Sequence, residues 1–354
     1  MKLNTHLREG TMSHLETEIY EQPQVIGNLL ESEAGHISDI AEAIREFQPA
    51  FVCIAARGTS DNAARYAQYA LGIHARMPVA LATPSIHTLY NAAPNLSQAL
   101  VIGISQSGMA ADVTQVVSDA RMQGALTLSI TNNPNSPLAQ SAAHHISLHA
   151  GEEISVAATK TYTAQLTVIA MLVAALANNP TLNADLLQLP AQITQTLELS
   201  SPVQEFAVRH ADLESFAALG RAYNYCTAIE TCLKVQELCY IIGQGYSEAD
   251  FLHGPIAIVK PEFPVIVIAP KGKSSANFAT LLSKLRERSA ATMLITNDDN
   301  FGEDVWVRLP EALPEWLSPI AAIIPGQLFG MHLALAKGNP IDKPKGLSKV
   351  TVTM

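Results

Sequence analysis

The chain has 354 residues, of which 48% are hydrophobic and only 15% charged, so it can bury large cores and is not a disordered tail. The length suggests two domains, and the net charge of −10 comes from scattered acids, which excludes a nucleic-acid surface built on clustered Lys and Arg. Cys53, Cys226, Cys232 and Cys239 form no CxxC pair and no zinc spacing, and residues 1–10 carry no apolar signal core. Both features fit a soluble, cytoplasmic protein with no membrane partner.

In chain order the sequence reads as strand, turn, helix, repeated. Residues 51–56 form a continuous apolar run, the pattern of a strand buried on both faces. Arg57-Gly58-Thr59-Ser60 follows, then a helix expected over 61–71 and a second strand over 79–82. Residues 99–104 make a third strand ending in Ser105-Gln106-Ser107-Gly108, with a helix through Val117 behind it. A fourth strand is expected over 126–131 and a fifth over 145–148. Residues 164–177 are too short an apolar stretch to span a bilayer and read as a buried helix. Strands alternating with helices imply a mostly parallel sheet covered on both sides.

A shift of 165 residues brings the chain onto itself. Phe51 meets Phe216, Ile104 meets Ala269, and Leu-Ser-Ile-Thr-Asn at 128–132 meets Met-Leu-Ile-Thr-Asn at 293–297. The chain therefore reads as two copies of one α/β unit, joined around 187–202: an N-terminal extension over 1–24, a first unit over 25–195 and a second over 196–354.

The copies differ where parallel sheets bind ligands, in the loops beyond the carboxyl ends of the strands. The first has Gly58-Thr59-Ser60 and Ser105-Gln106-Ser107-Gly108; the second has Ala222-Tyr223-Asn224-Tyr225 and Pro270-Lys271-Gly272-Lys273. Small, hydroxyl-rich loops entering helices suit an anion, because a helix N-terminus offers unpaired N–H groups and the positive end of the dipole. A single such loop reads as an ordinary N-cap. Two on neighbouring strands point to one phosphate site per chain, and neither fits a Walker or GxGxxG nucleotide pattern.

In the second copy Glu230, Lys234 and Glu237 are spaced i, i+4 and i+7 and share one helix face, a spacing that surface salt bridges also use. His253, in a Gly-Pro turn after Tyr246-Ser247-Glu248-Ala249-Asp250-Phe251-Leu252, is a candidate for acid–base work.

These residues carry a resemblance. The Ser-Gln-Ser-Gly loop, Val156-Ala157-Ala158-Thr159-Lys160, the Glu230/Lys234/Glu237 helix, the His253-Gly254-Pro255 turn and the Lys-rich C-terminus resemble the isomerase half of glutamine:fructose-6-phosphate aminotransferase, from about residue 25 to the end. Met109 and Ala110 stand where that family usually has Glu and Thr, and Lys345-Gly346 where it has Arg-Asn. With no glutaminase domain ahead of the first copy, the chain is similar to the isomerising glucosamine-6-phosphate deaminases. The resemblance implies two tandem SIS (sugar isomerase) domains, each a mostly parallel five-stranded sheet flanked by helices in a flavodoxin-like three-layer sandwich.

It further implies sugar-phosphate contacts at Gly58, Thr59, Ser60, Ser105, Gln106, Ser107, Val156, Ala157, Ala158 and Ser348. Glu237 matches the base that moves a proton between C2 and C1, with Lys234 and Glu230 beside it. His253 matches the ring-opening residue, which in the resembling enzymes reaches in from the partner of a homodimer. Lys349 matches an amine able to form a Schiff base with the ketose. The implied reaction, glucosamine 6-phosphate to fructose 6-phosphate and ammonia, needs no cofactor or metal. A galactosamine or fructosamine phosphate would need the same loops and C2 chemistry. A sugar-phosphate sensor would need the loops alone, without the Glu/Lys/Glu helix.

Overall fold

Residues 12–349 are described by the computed structural model, so the polar residues 1–10 and Val350 of the basic tail lie outside it. The first unit contributes strands β1 (Phe51–Ala55), β2 (Val79–Leu81), β3 (Ala99–Ile104), β4 (Leu126–Thr131) and β5 (His144–Ser147). The second contributes β6 (Ser215–Gly220), β7 (Ile242–Ser247), β8 (Pro264–Ile268), β9 (Ala291–Thr296) and β10 (Val305–Arg308).

Every pairing is parallel, in the orders β2-β1-β3-β4-β5 and β7-β6-β8-β9-β10. In each sheet the unit's first strand lies between its second and third, the flavodoxin-like order. The 165-residue register holds for β1 with β6, β3 with β8 and β4 with β9. It holds for β2 with β7 as well, Val79 matching Gln244, and shifts only at β5 and β10, where the second unit's intervening loop is shorter. The strands read from sequence all form, β5 one residue earlier than expected.

Two-residue alternation sorts the strand side chains into layers. Val52, Ile54, Leu100, Ile102 and Ile104 face one cluster, while Cys53, Ala55, Ala99 and Val101 face another. In the second sheet Phe216, Ala218, Ile266 and Ile268 join the first sheet's own cluster, and Ala217, Leu219, Val265 and Val267 face a separate one. One continuous apolar core thus runs from sheet to sheet through the helices between them, fixing the two units against each other.

Helices Lys160–Ala177 and Ser318–Ala336 occupy this shared core. Both have mean hydropathy 1.4 and a length that could cross a membrane, but 83% of each apolar window is buried within the protein. The stretch 187–202 falls in helix Pro180–Leu199 and the start of helix Pro202–Arg209, so the repeat divides inside a helix and not in a loop. The four cysteines are buried and unpaired, and burial pushes the thiols up, Cys53 to about 11 and Cys226 and Cys239 to about 12, which leaves them inert.

Candidate active site

The carboxyl ends of β1 and β3 feed helices Thr59–Ala70 and Ala111–Met122. The first helix begins two residues earlier than the sequence suggests, so Thr59 and Ser60 lie in its first turn. The N-cap is Gly58, whose φ of 53° and ψ of −128° suit a residue without Cβ. The second helix is capped by Ala110. Neither N-cap residue supplies a side-chain hydrogen bond; in the first helix Ser60 N and Asn62 N donate to Arg57 O and Gly58 O, and in the second Val113 N donates to the buried Asp112 Oδ1 at 2.9 Å. The ordinary N-cap explanation of these hydroxyls therefore fails.

A cleft of about 330 Å³ opens at this point. Gly58, Thr59, Ser60, Ser105, Gln106, Ser107, Val156, Ala158, Glu237, Ser348 and Lys349 line it, so most of the residues singled out from sequence meet in one place. Within the β3 loop, Ser105 Oγ accepts from Gly108 N at 3.1 Å and Ser107 Oγ from Met109 N at 3.3 Å, which shapes the turn. Ser60 Oγ accepts from the buried Gln165 Nε2 at 3.0 Å, leaving its own proton available to a ligand oxygen.

The Glu230/Lys234/Glu237 face lies on helix Tyr225–Cys239 and packs toward the first unit. Glu230 is fully buried: Oε1 accepts from Thr59 Oγ1 at 3.0 Å and Oε2 from Asn62 Nδ2 at 2.7 Å. Lys234 Nζ, also buried, lies 3.3 Å from Glu230 Oε1 and 2.6 Å from Glu237 Oε2, and donates to Thr59 Oγ1 at 3.4 Å. Glu237 alone of the three reaches the cleft, its side chain 24% exposed.

Burial raises the Glu230 pKa even though Lys234 and Asn62 pull it down. Burial opposes the charge on Lys234, yet Glu237 and Glu230 together hold its pKa above the ordinary lysine value. Glu230 and Lys234 thus position Thr59 and Glu237 from behind and do not line the cleft themselves.

Lys349 closes the cleft from the C-terminal side. Its Nζ donates to Glu153 Oε2 at 2.6 Å and to Ser155 O at 2.7 Å. The buried Glu153 also accepts from Thr159 N, Thr161 N and Thr161 Oγ1 at 2.8–3.1 Å, so one carboxylate ties the tail to the start of helix Lys160–Ala177. A Schiff base at Lys349 would require the amine to leave both partners.

Two residues stand apart. Ala157 is fully buried, and only its neighbours Val156 and Ala158 line the cleft. His253 is exposed, at the carboxyl end of the second sheet, just after helix Glu248–Leu252, and outside the cleft of its own chain. Glu237 lies near the far end of a 15-residue helix that runs back from that same sheet end. The sequence reading missed Asn62, Glu153 and Gln165. Only Asn62, three residues after Thr59 on the same helix, left a spacing that could have marked it.

The SIS-domain family profile matches residues 50–175 and 214–305, more than half of the chain. Glutamine–fructose-6-phosphate aminotransferase of Pyrococcus horikoshii is 32% identical over 344 residues, covering 95% of this chain and 57% of that protein. The enzyme of the same name from Methanothermobacter thermautotrophicus is 34% identical over 340 residues, with coverages of 95% and 57%. The chain therefore spans less than two thirds of these curated relatives. Among solved structures, the C-terminal domain of glucosamine-fructose-6-phosphate aminotransferase from Francisella tularensis aligns with a TM-score of 0.85 at 26% identity, over 95% of this chain and 99% of that one. Glucosamine-6-phosphate deaminase from Thermotoga maritima shares the fold, with a TM-score of 0.77 at 20% identity over 96% and 100%. With the family profile on both halves and a five-stranded parallel sheet in each, the chain belongs to the SIS-domain family.

Proposed function

We propose that the protein is a cytoplasmic isomerising deaminase that converts glucosamine 6-phosphate to fructose 6-phosphate and ammonia. One observation carries this reading: a single cleft joins two helix N-termini, neither capped by its own N-cap side chain, to a carboxylate, Glu237, braced by a buried lysine. The first feature suits a phosphate and the second a proton transfer a few bonds away.

In the proposed sequence the phosphate sits on the Gly58–Ser60 and Ser105–Ser107 backbone, with the Ser60, Ser105 and Ser107 hydroxyls donating to its oxygens while the Thr59 hydroxyl keeps donating to Glu230. His253 of a second copy opens the sugar ring, since the chain's own His253 lies outside its cleft. Glu237 removes the C2 proton, giving an enolamine, and returns a proton at C1. Water adds to the resulting C2 imine, and the C–N bond breaks to leave the ketose and ammonia. Lys234 keeps Glu237 aimed and balances its charge while the proton is away. The named relatives act in amino-sugar phosphate chemistry, which favours this substrate over an unrelated phosphosugar.

The test is to incubate purified protein with glucosamine 6-phosphate and assay both products. Equimolar fructose 6-phosphate and ammonia are expected. If neither appears, the reading falls, and galactosamine and fructosamine phosphates become the substrates to try.

A further inference from the structure

In the second unit the carboxyl end of β8 leads through Pro270-Lys271-Gly272-Lys273-Ser274 into helix Ser275–Glu287, the counterpart of the first unit's Ser105–Met109 loop and the helix behind it. This helix likewise takes no side-chain cap from its own N-cap residue, Ser274. An acid from elsewhere in the chain fills the position. Glu315 Oε2 accepts from Lys273 N at 2.9 Å, and Oε1 accepts from Ser274 N at 3.1 Å and Ser274 Oγ at 2.6 Å. Two successive backbone N–H groups and a hydroxyl converging on one anion are the donor set expected of a phosphate cradle. The carboxylate lies so close to the loop that a Cβ on Gly272 would stand 2.2 Å from Glu315 Cδ.

The internal repeat shows what differs between the units. Helices Lys160–Ala177 and Ser318–Ala336 close the first and second units, and three residues before their starts stand Ala157 and Glu315 respectively. In the first unit that segment is Val156-Ala157-Ala158, which sends no acid to the loop; Gly108 N and Met109 N, the counterparts of Lys273 N and Ser274 N, donate instead to Ser105 Oγ and Ser107 Oγ, hydroxyls that line the open cleft. In the second, the same segment sends a carboxylate into the cradle. Beside it a cavity of about 470 Å³ remains, with Arg221 and Lys273 as cations and His74, Tyr223 and Trp316 as its aromatic wall.

We propose that Glu315 is the built-in occupant of a second phosphomonoester cradle, closing in the second unit the site that the first unit keeps open. The chain then binds one phosphate because one of its two cradles is already filled by its own carboxylate. Replacing Glu315 by a small neutral residue opens a second anion site whose ligand, a small phosphomonoester, extends into the aromatic cavity. The proposal rests on the reading of the first cradle as a phosphate site, but its test counts the second separately.

Inorganic phosphate binding is counted by calorimetry on the full chain, wild type and Glu315→Ala. One site per chain is expected in the wild type and two in the variant. A folded Glu315→Ala that still binds no more than the wild type overturns the proposal. A wild type that binds none refutes the first cradle instead, and a gain of one site in the variant still supports the second. If Glu315→Ala does not fold, Glu315→Gln keeps the size and an acceptor oxygen while removing the charge. Phosphate should then raise its melting temperature more than it raises that of the wild type, because the anion binds only the folded state. Equal rises overturn the proposal.

Discussion

The two units share one strand order and one repeat register, yet they have divided the labour. The first brings Gly58, Thr59, Ser60, Ser105 and Ser107 to the cleft from the ends of its strands. The second has Tyr223, Lys271 and Lys273 at the matching places, and sends Glu237 into the first unit's cleft on a helix packed against that unit. The seam between them is polar and buried: Glu230 joins Thr59, Asn62 and Lys234 in a place where an unpaired charge is costly. A duplicated fold has thereby made one site from two copies, and the seam is where the arrangement can be broken.

The largest effect is expected at the chemical step. Glu237→Gln retains the size and removes the base, and should lower kcat on glucosamine 6-phosphate by roughly 10³-fold with KM little changed. A kcat within tenfold of wild type would move the proton transfer to another residue.

Next comes the seam itself. Lys234→Met leaves Glu230 and Glu237 without their shared cation, and removing one member of a buried ion pair costs about 3–5 kcal/mol, readable in urea unfolding. The sign of the pH dependence follows from Glu230. Burial raises its native pKa above the unfolded value, so the native state holds the proton to higher pH and stability falls as pH rises through that window. With Lys234 gone the fall steepens, and the variant should be distinctly more stable at about pH 5 than at about pH 8. In the wild type the raised Lys234 pKa works in the other direction of charge: its contribution is complete below the ordinary lysine range and is lost as pH climbs through the native value. A flat profile for Lys234→Met would show that Glu230 finds another partner.

A third experiment asks whether the comparison extends to a second copy of the chain. Mixing inactive Glu237→Gln with inactive His253→Asn should restore roughly a quarter of wild-type activity after subunit exchange, since half the molecules are then mixed dimers with one intact site each. No recovery, with exchange demonstrated, would place His253 outside the reaction.

How much of this was legible beforehand follows from where each signal resides. Residues 99–104 are a continuous apolar run buried on both faces, and 126–131 alternate apolar with small polar residues, so both strands could be bounded locally. The loops that line the cleft were legible because Gly, Ser and Thr at strand ends have a local meaning. Glu230 was read as a partner of Glu237, but its actual role, holding Thr59 and Asn62 of the other unit, depends on contacts 171 and 168 residues apart that no spacing rule encodes. Glu153 was missed for the same reason, since its partner Lys349 lies 196 residues away. The join expected around 187–202 falls largely within a helix, where Pro190 is accommodated.

The smallest expected effect concerns that distant pair. If Lys349 acts chiefly by anchoring the tail over the cleft, then an arginine, which keeps the positive charge and can reach Glu153, preserves the anchor while removing any amine nucleophile. Lys349→Arg should then lose less than about tenfold in kcat/KM, and Lys349→Ala more, because Glu153 is left as a buried carboxylate with backbone donors and Thr161 alone. Equal and severe losses in both variants would shift the weight to covalent chemistry at the amine, and would mean that the ion pair seen here is the resting arrangement of a nucleophile that leaves Glu153 when the sugar arrives.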